Sequence, residues 1–372
     1  MKKKLDTPTA STATSIPTGL VVNKGTEARI MRWALVAGIS AAVISWVAYM
    51  LTGTWSIPIT GSLSLARPTI ILSFIFGTIG FGRLFWELQS NQFQAGERDV
   101  SKLWVRWRDA ITLSLVYGVT FTAILGIFAY GIGQSFQGLL LDPYISTVLV
   151  GLSVGVFMYL ILSGAAEINT NTLIMMLSFV LIGGVFLSML TQSSPDWWQS
   201  NFSYLGTGDS NRASALAFNL TLIFGGLMML ALTEYVFTGL QHAIKDDDRL
   251  MKETKVNTVK IAFVLMAIAL MGVGVFPYEA NTIYARLHNT SATLLVIIFL
   301  GLIAFLKRLV PSLSREFFII SYVVSAILLF CFYLTSVGYF NTTAFELSAF
   351  GLCFVWLFLF LKNVNLIGQE ER

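Results

Sequence analysis

The chain has 372 residues, of which 55% are hydrophobic and only 12% charged, with a mean hydropathy of +0.73 and a formal net charge of +4. Soluble domains carry roughly 25% charged residues, so this composition excludes that class and points to the membrane. The cations are spread over separate short loops, which argues against nucleic acid as a partner and suits anionic lipid headgroups instead.

Residues 1–28 are polar, rich in Ser and Thr and basic at the start. No short apolar run with a small-residue cleavage site precedes the first apolar stretch, so this segment reads as a disordered cytoplasmic tail and not as a removed signal peptide. Apolar runs of about 20 residues, the length a helix needs to cross a hydrocarbon core, then recur. They fall near 33–51, 69–88, 109–131, 145–164, 171–191, 214–239, 259–276, 290–306, 317–337 and 345–361. The expected fold class is an all-α polytopic integral membrane bundle of about ten transmembrane helices. With the N-terminus inside, every one of the 24 Lys and Arg residues except Arg67, Arg212 and Arg286 lies on the inner side. The positive-inside rule therefore places both termini in the cytoplasm, and a multi-pass protein of a bacterial plasma membrane is the expected setting.

A tight polar turn, Glu167 to Asn171, divides a four-helix region (29–166) from a six-helix domain (167–372). Between the second and third runs, Trp104, Arg106, Trp107 and Arg108 sit in a segment from Gln89 to Arg108 and read as an interfacial loop, indoles at headgroup depth and cations toward water. The segment Lys245 to Lys260 contains Asp246, Asp247 and Asp248 but lacks the glycine and spaced ligands of a calcium loop, and reads as a solvated turn. Small-residue groups (Gly151 with Gly155; Gly77, Gly80 and Gly82; Gly225 with Gly226) signal close helix approach. Sequence leaves open whether they join helices of one chain or of two copies, so a homo-oligomer or a membrane-protein partner stays open too.

Chemistry is sparse. No apolar run has an ionisable residue at its centre; Glu234, about five residues from an inner end, comes nearest. No proline interrupts a run, so the broken helices of many carriers are not announced. The two histidines, His242 and His288, fall on opposite sides, and Cys331 and Cys353 lie within apolar runs, so neither a metal site nor a disulfide framework is expected. Phosphate-cradling loops and nucleophile elbows are missing, and no cofactor is expected.

What remains is a polar constellation on two outer loops. The first runs from Ser194 through Asp196, Trp197, Trp198, Asn201, Ser203, Tyr204, Asp209 and Arg212 to Asn219; the second carries Gly272, Gly274, Phe276, Pro277, Glu279, Arg286 and His288. Asp196, Asp209 or Glu279 would orient His288 as an acid or base, Arg212 or Arg286 would bind an anionic group, and the tryptophans would hold an acyl or sugar portion. Equally, Trp197 and Trp198 would serve as interfacial anchors and Asn201 and Asn219 as helix caps or bridges.

The run Asn201-Phe-Ser-Tyr-Leu-Gly206, then Phe218-Asn219 with Gly225-Gly226, then Gly272-Val-Gly-Val-Phe-Pro277 followed by His288, resembles the bacterial and archaeal multi-pass family called domain of unknown function 998, over about residues 171–361. The resemblance implies a six-helix membrane domain with its polar signature at one end, and supplies no reaction; the first four spans are not covered by it. Three functions compete. The favoured one is a non-enzymatic membrane protein that binds a lipid or envelope precursor at its outer face, or serves as a subunit of an assembly. The others are an interfacial lipid hydrolase or transferase using His288 with a carboxylate, and a transporter without a charged midplane site.

Overall fold

The computed structural model describes residues 24–94, 103–208, 211–246 and 253–370. Ten helices run in chain order: α1 Lys24–Thr52, α2 Ala66–Gln94, α3 Leu103–Ser135, α4 Pro143–Ala166, α5 Thr170–Thr191, α6 Arg212–Asp246, α7 Glu253–Val275, α8 Ile283–Leu309, α9 Arg315–Ser336 and α10 Thr342–Glu370. Each is long and apolar enough to span a membrane, and this chain is an all-α polytopic membrane bundle. Strand structure among the described residues is confined to β1, Ile57–Pro58, paired antiparallel with β2, Leu140–Leu141.

The helices extend beyond the apolar runs because a helix satisfies its own backbone wherever it meets lipid or the interface. Two expected loops shrink accordingly. Trp104, Arg106, Trp107 and Arg108 lie in the first turns of α3, not in a loop, and stack there: the Arg106 guanidinium sits 4.5 Å from the Trp86 ring, and Trp86 and Trp107 are 4.6 Å apart. Of the segment Lys245 to Lys260, α6 and α7 take both ends, and residues 247–252 lie outside the described ones.

Boundaries are set by local chemistry. Asp142 caps α4, accepting from the Tyr144 and Ile145 amides with Pro143 in the first turn; Asn169, Thr282 and Ser314 cap α5, α8 and α9. Gly53, at φ 63°, ends α1 in the left-handed conformation that lets the Gly53 and Thr54 amides turn back onto Met50 and Tyr49 carbonyls.

In the first four helices α4 lies against α1 and α2, while α2 packs on α3. The α1–α4 contact is backbone to backbone: a Cβ on Gly38 would stand 2.7 Å from the Gly151 carbonyl oxygen, and one on Gly151 would stand 2.9 Å from Gly38 O. The Gly151/Gly155 pair therefore joins helices of one chain. In the last six, α6 is central, flanked by α5 and α7 and touched by α10, with α8 beyond α7 and α9 against α10. One apolar cluster, including Tyr117, Met228, Phe263 and Trp356, runs through both sets.

The basic end of the bundle is laced by Arg29 to Glu87 (3.1 Å), the Tyr159 hydroxyl to Glu27 (2.9 Å) and Lys260 to Glu234 (2.8 Å). Glu234 thus has a partner on α7 at that end. The loops joining α1–α2, α3–α4, α5–α6, α7–α8 and α9–α10 lie at the opposite end, which the positive-inside rule would assign to the outer face.

Candidate functional site

The α5–α6 connection is not a loose loop. It holds two 3₁₀ turns, Trp197–Gln199 and Phe202–Gly206, and the second is buried at Phe202, Ser203, Leu205 and Gly206. Phe202 and Leu205 enter a small apolar cluster with Val185, Phe218 and Leu222, against which Trp197 packs. Apolar burial places the segment; polar contacts from three helices fasten it.

From α8, His288 reaches under the segment. Its Nε2 is 2.8 Å from Ser203 Oγ and its Nδ1 is 2.8 Å from the Phe276 carbonyl oxygen. A carbonyl only accepts, so Nδ1 carries the proton, and in a neutral ring Nε2 accepts from the Ser203 hydroxyl. His288 is 3% and Ser203 7% exposed, and the Tyr278 ring stands edge-on to the imidazole at 5.8 Å. From α10, Glu346 Oε2 accepts from the Phe202 amide at 2.7 Å. From α6, Asn219 Nδ2 donates to the Gly206 carbonyl at 2.9 Å, and the Ser214 hydroxyl donates to Leu205 O at 3.2 Å. Interhelical hydrogen bonds in a membrane contribute about 1 kcal/mol each, so together these fix the turn.

Two close approaches explain the glycines nearby. A Cβ on Gly206 would stand 2.5 Å from Asn219 Oδ1, and one on Gly274 would stand 2.6 Å from the Asn219 carbonyl oxygen. Asn201 Oδ1 and Asn219 Oδ1 are buried and find no hydrogen-bond partner among the described residues, leaving each as an acceptor for a donor from water or ligand.

The expected constellation divides into an inner and an outer set. His288 and Asn219 meet the segment that contains Asn201 and Tyr204. Asp196 is exposed and accepts from Gln199 within its own turn (3.2 Å), and Glu279 is exposed in the turn before α8, its carbonyl accepting from Thr282. Both ring nitrogens of His288 are already engaged by Phe276 and Ser203, so a backbone carbonyl holds the place expected for a carboxylate. Trp198 is half-exposed, and its carbonyl accepts from Asn341 Nδ2 at 3.1 Å. Arg212 and Arg286 are exposed at the first turns of α6 and α8. Asp209 lies outside the described residues.

Sequence reasoning gave no role to Ser203 and missed Glu346. Its signal was present, a lone carboxylate within the apolar run that forms α10, where ionisable residues are retained only with a partner. Among the described residues no group of three or more His, Cys, Asp or Glu side chains is placed to hold a metal ion.

Chemically the inner set offers a serine hydroxyl on an oriented imidazole, the pairing that activates a nucleophile. It lacks a prepared oxyanion site on the flanking amides, since Phe202 N–H is taken by Glu346 and Tyr204 N–H by the Asn201 carbonyl (3.2 Å). The outer set offers a stripe on α8. A shallow surface hollow of about 330 Å³ along one face of α8 is lined by Asn289, Thr290, Thr293, Leu294 and Ile297, which follow Arg286 on that helix. Compared with known proteins, the chain matches no family model, no curated protein and no solved structure.

Proposed function

We propose that this integral membrane protein binds a membrane lipid or lipid-linked envelope precursor at its outer face and does not transform it. The observation that carries the reading is the order of side chains down one face of α8. A cation at Arg286 is followed by amide and hydroxyls at Asn289, Thr290 and Thr293, then by Leu294 and Ile297. From 286 to 297 the helix rises about 16 Å, from interface into hydrocarbon. That gradient matches an amphiphile, with an anionic headgroup on Arg286 and an acyl chain on the aliphatic pair. The buried polar residues support the same reading, because His288, Ser203 and Glu346 are engaged in holding the turn.

The setting we infer is a bacterial plasma membrane with the basic end inside. Membership of the last six spans in the family called domain of unknown function 998 belongs to the proposal as well. It is supported by how the motif segments meet: Ser203 with His288, Gly206 with Asn219, Gly274 with Asn219, Phe276 with His288.

Native mass spectrometry of the detergent-purified protein tests the reading. Wild type is expected to retain a defined lipid that Arg286→Ala combined with Asn289→Leu loses, with unchanged thermal stability. Equal lipid retention in both would remove the α8 stripe as the binding site.

A second reading, an interfacial acyl hydrolase, is favoured by the 2.8 Å Ser203–His288 contact. A fluorophosphonate probe that labels Ser203 in the wild type and not in His288→Ala would establish it. Absence of labelling on the folded wild type would leave the contact structural.

A further inference from the structure

The geometry points to a second outer-face site, in the first four helices, that holds the phosphate of an anionic phospholipid on Arg67 and its chain in the groove between α2 and α3. It does not depend on the α8 stripe. A groove of about 300 Å³ opens at the outer ends of these helices, and Thr60, Ser64, Arg67, Ile70, Gly126 and Tyr130 line it.

The groove has a built roof. The connection after α1 folds back so that β1 pairs with β2 of the α3–α4 connection, and the amides of Leu65 and Ala66 bond to the Pro58 and Ile59 carbonyls at 2.9 and 3.0 Å. The Tyr49 hydroxyl donates to Ser64 O at 3.2 Å, and the Ser64 hydroxyl donates to Gly61 O at 2.9 Å. Thr60 rests on α3 at Gly133, where a Cβ would stand 2.6 Å from the threonine Cγ2. Below the roof α3 offers small residues, and at Gly126 the slot is about one methyl deep, since a Cβ there would meet Ile70 Cδ1 in van der Waals contact at 3.7 Å. The space therefore comes from missing side chains on one wall, and a flexible acyl chain suits it better than a rigid ring system.

Charge fixes the headgroup. Arg67 is one of only three basic residues outside the inner loops, and it sits at the first turn of α2. Its Nη1 donates to Ser62 O at 2.9 Å, which aims the guanidinium and spends one of its five N–H groups. The lining includes hydroxyls at Thr60, Ser64 and Tyr130 and no carboxylate. A planar donor fork beside hydroxyls at headgroup depth, above an aliphatic slot, complements a phosphodiester carrying an acyl chain.

The test uses the full chain in nanodiscs with photoactivatable phosphatidylglycerol, compared with the phosphatidylcholine analogue. Crosslinks from the glycerol lipid are expected on residues 60–71 and 126–130. They should fall about tenfold in Arg67→Gln, as expected for loss of a charge-assisted contact, and be preserved in Arg286→Ala. Gly126→Leu fills the slot and should abolish them, while Arg67→Gln, an exposed change, keeps the test valid if that variant misfolds. Equal labelling by both lipids, labelling indifferent to Arg67→Gln, or displacement by millimolar inorganic phosphate would each overturn the proposal.

Discussion

The α1–α4 contact and the outer end of the last six helices are both close-packed, yet hydrogen bonds carry different weight in the two. At the α1–α4 crossing Gly38, Gly151 and Gly155 remove side chains so that backbones touch, and the polar contact of these helices, Tyr159 to Glu27, lies apart from it at the basic end. At the outer end α6, α8 and α10 reach a shared segment with Asn219, His288 and Glu346. Lipid tails are as apolar as leucine, so burying apolar surface does little to join helices in a bilayer. Close van der Waals approach and hydrogen bonding remain; the α1–α4 crossing rests on the first, and the outer end adds the second to the close approach of Gly274 to Asn219. The first should fail by steric insertion, the second by deletion of a partner.

The largest effect is expected for Gly38→Leu. Its side chain would have to displace the α4 backbone, which cannot yield as a side-chain tip does, and the cost should be about 3 kcal/mol, read as a lowered unfolding midpoint in detergent. Gly131→Leu, where nothing lies within 4 Å of a Cβ, should leave the midpoint nearly unchanged. Similar losses in both would break the contrast.

Next comes His288→Ala, which removes the contacts to Ser203 and Phe276 and strands buried groups, for about 2 kcal/mol. Combined with Ser203→Ala the loss should be less than additive, because the two residues share one contact; strict additivity would mean that they act separately. Asn219→Ala should cost about 1 kcal/mol by freeing the Gly206 carbonyl. Smallest is Glu234→Gln. Its pair with Lys260 is 28% and 24% exposed, and such ion pairs contribute well under about 1 kcal/mol. A loss equal to that of His288→Ala would place an energetic centre at the basic end instead.

The sequence made the bundle legible because every apolar run is about as long as a helix needs to cross a bilayer and the cations gather at one end. It also marked the residues that meet at the outer end, His288 and Asn219 among them, since a histidine and an asparagine beside apolar runs demand partners. It could not supply the partners. Ser203 is an ordinary loop serine until the second 3₁₀ turn buries it, and the Phe276 carbonyl is invisible to any reading of side chains. Glu346 stood in plain view at the start of an apolar run, but nothing in the sequence pairs it with the Phe202 amide that its carboxylate meets. Arg67 was counted among the exceptions to the inner basic set, and only the roof formed by β1 and β2 gives it a setting. The glycine pair on α4 was legible as a contact, but its partner on α1 was not, because small residues declare closeness without naming what comes close.

The most direct measurement is hydrogen–deuterium exchange of the peptide covering residues 197–207, in wild type, Glu346→Ala and His288→Ala, in detergent at neutral pH. If the turn is clamped from α8 and α10, this outer segment exchanges slowly in the wild type and the Phe202 amide exchanges much faster in Glu346→Ala, with the surrounding helices still protected. Exchange that is already fast in the wild type, or unchanged in both variants, would contradict the clamp and return the outer end of the protein to an ordinary solvated loop.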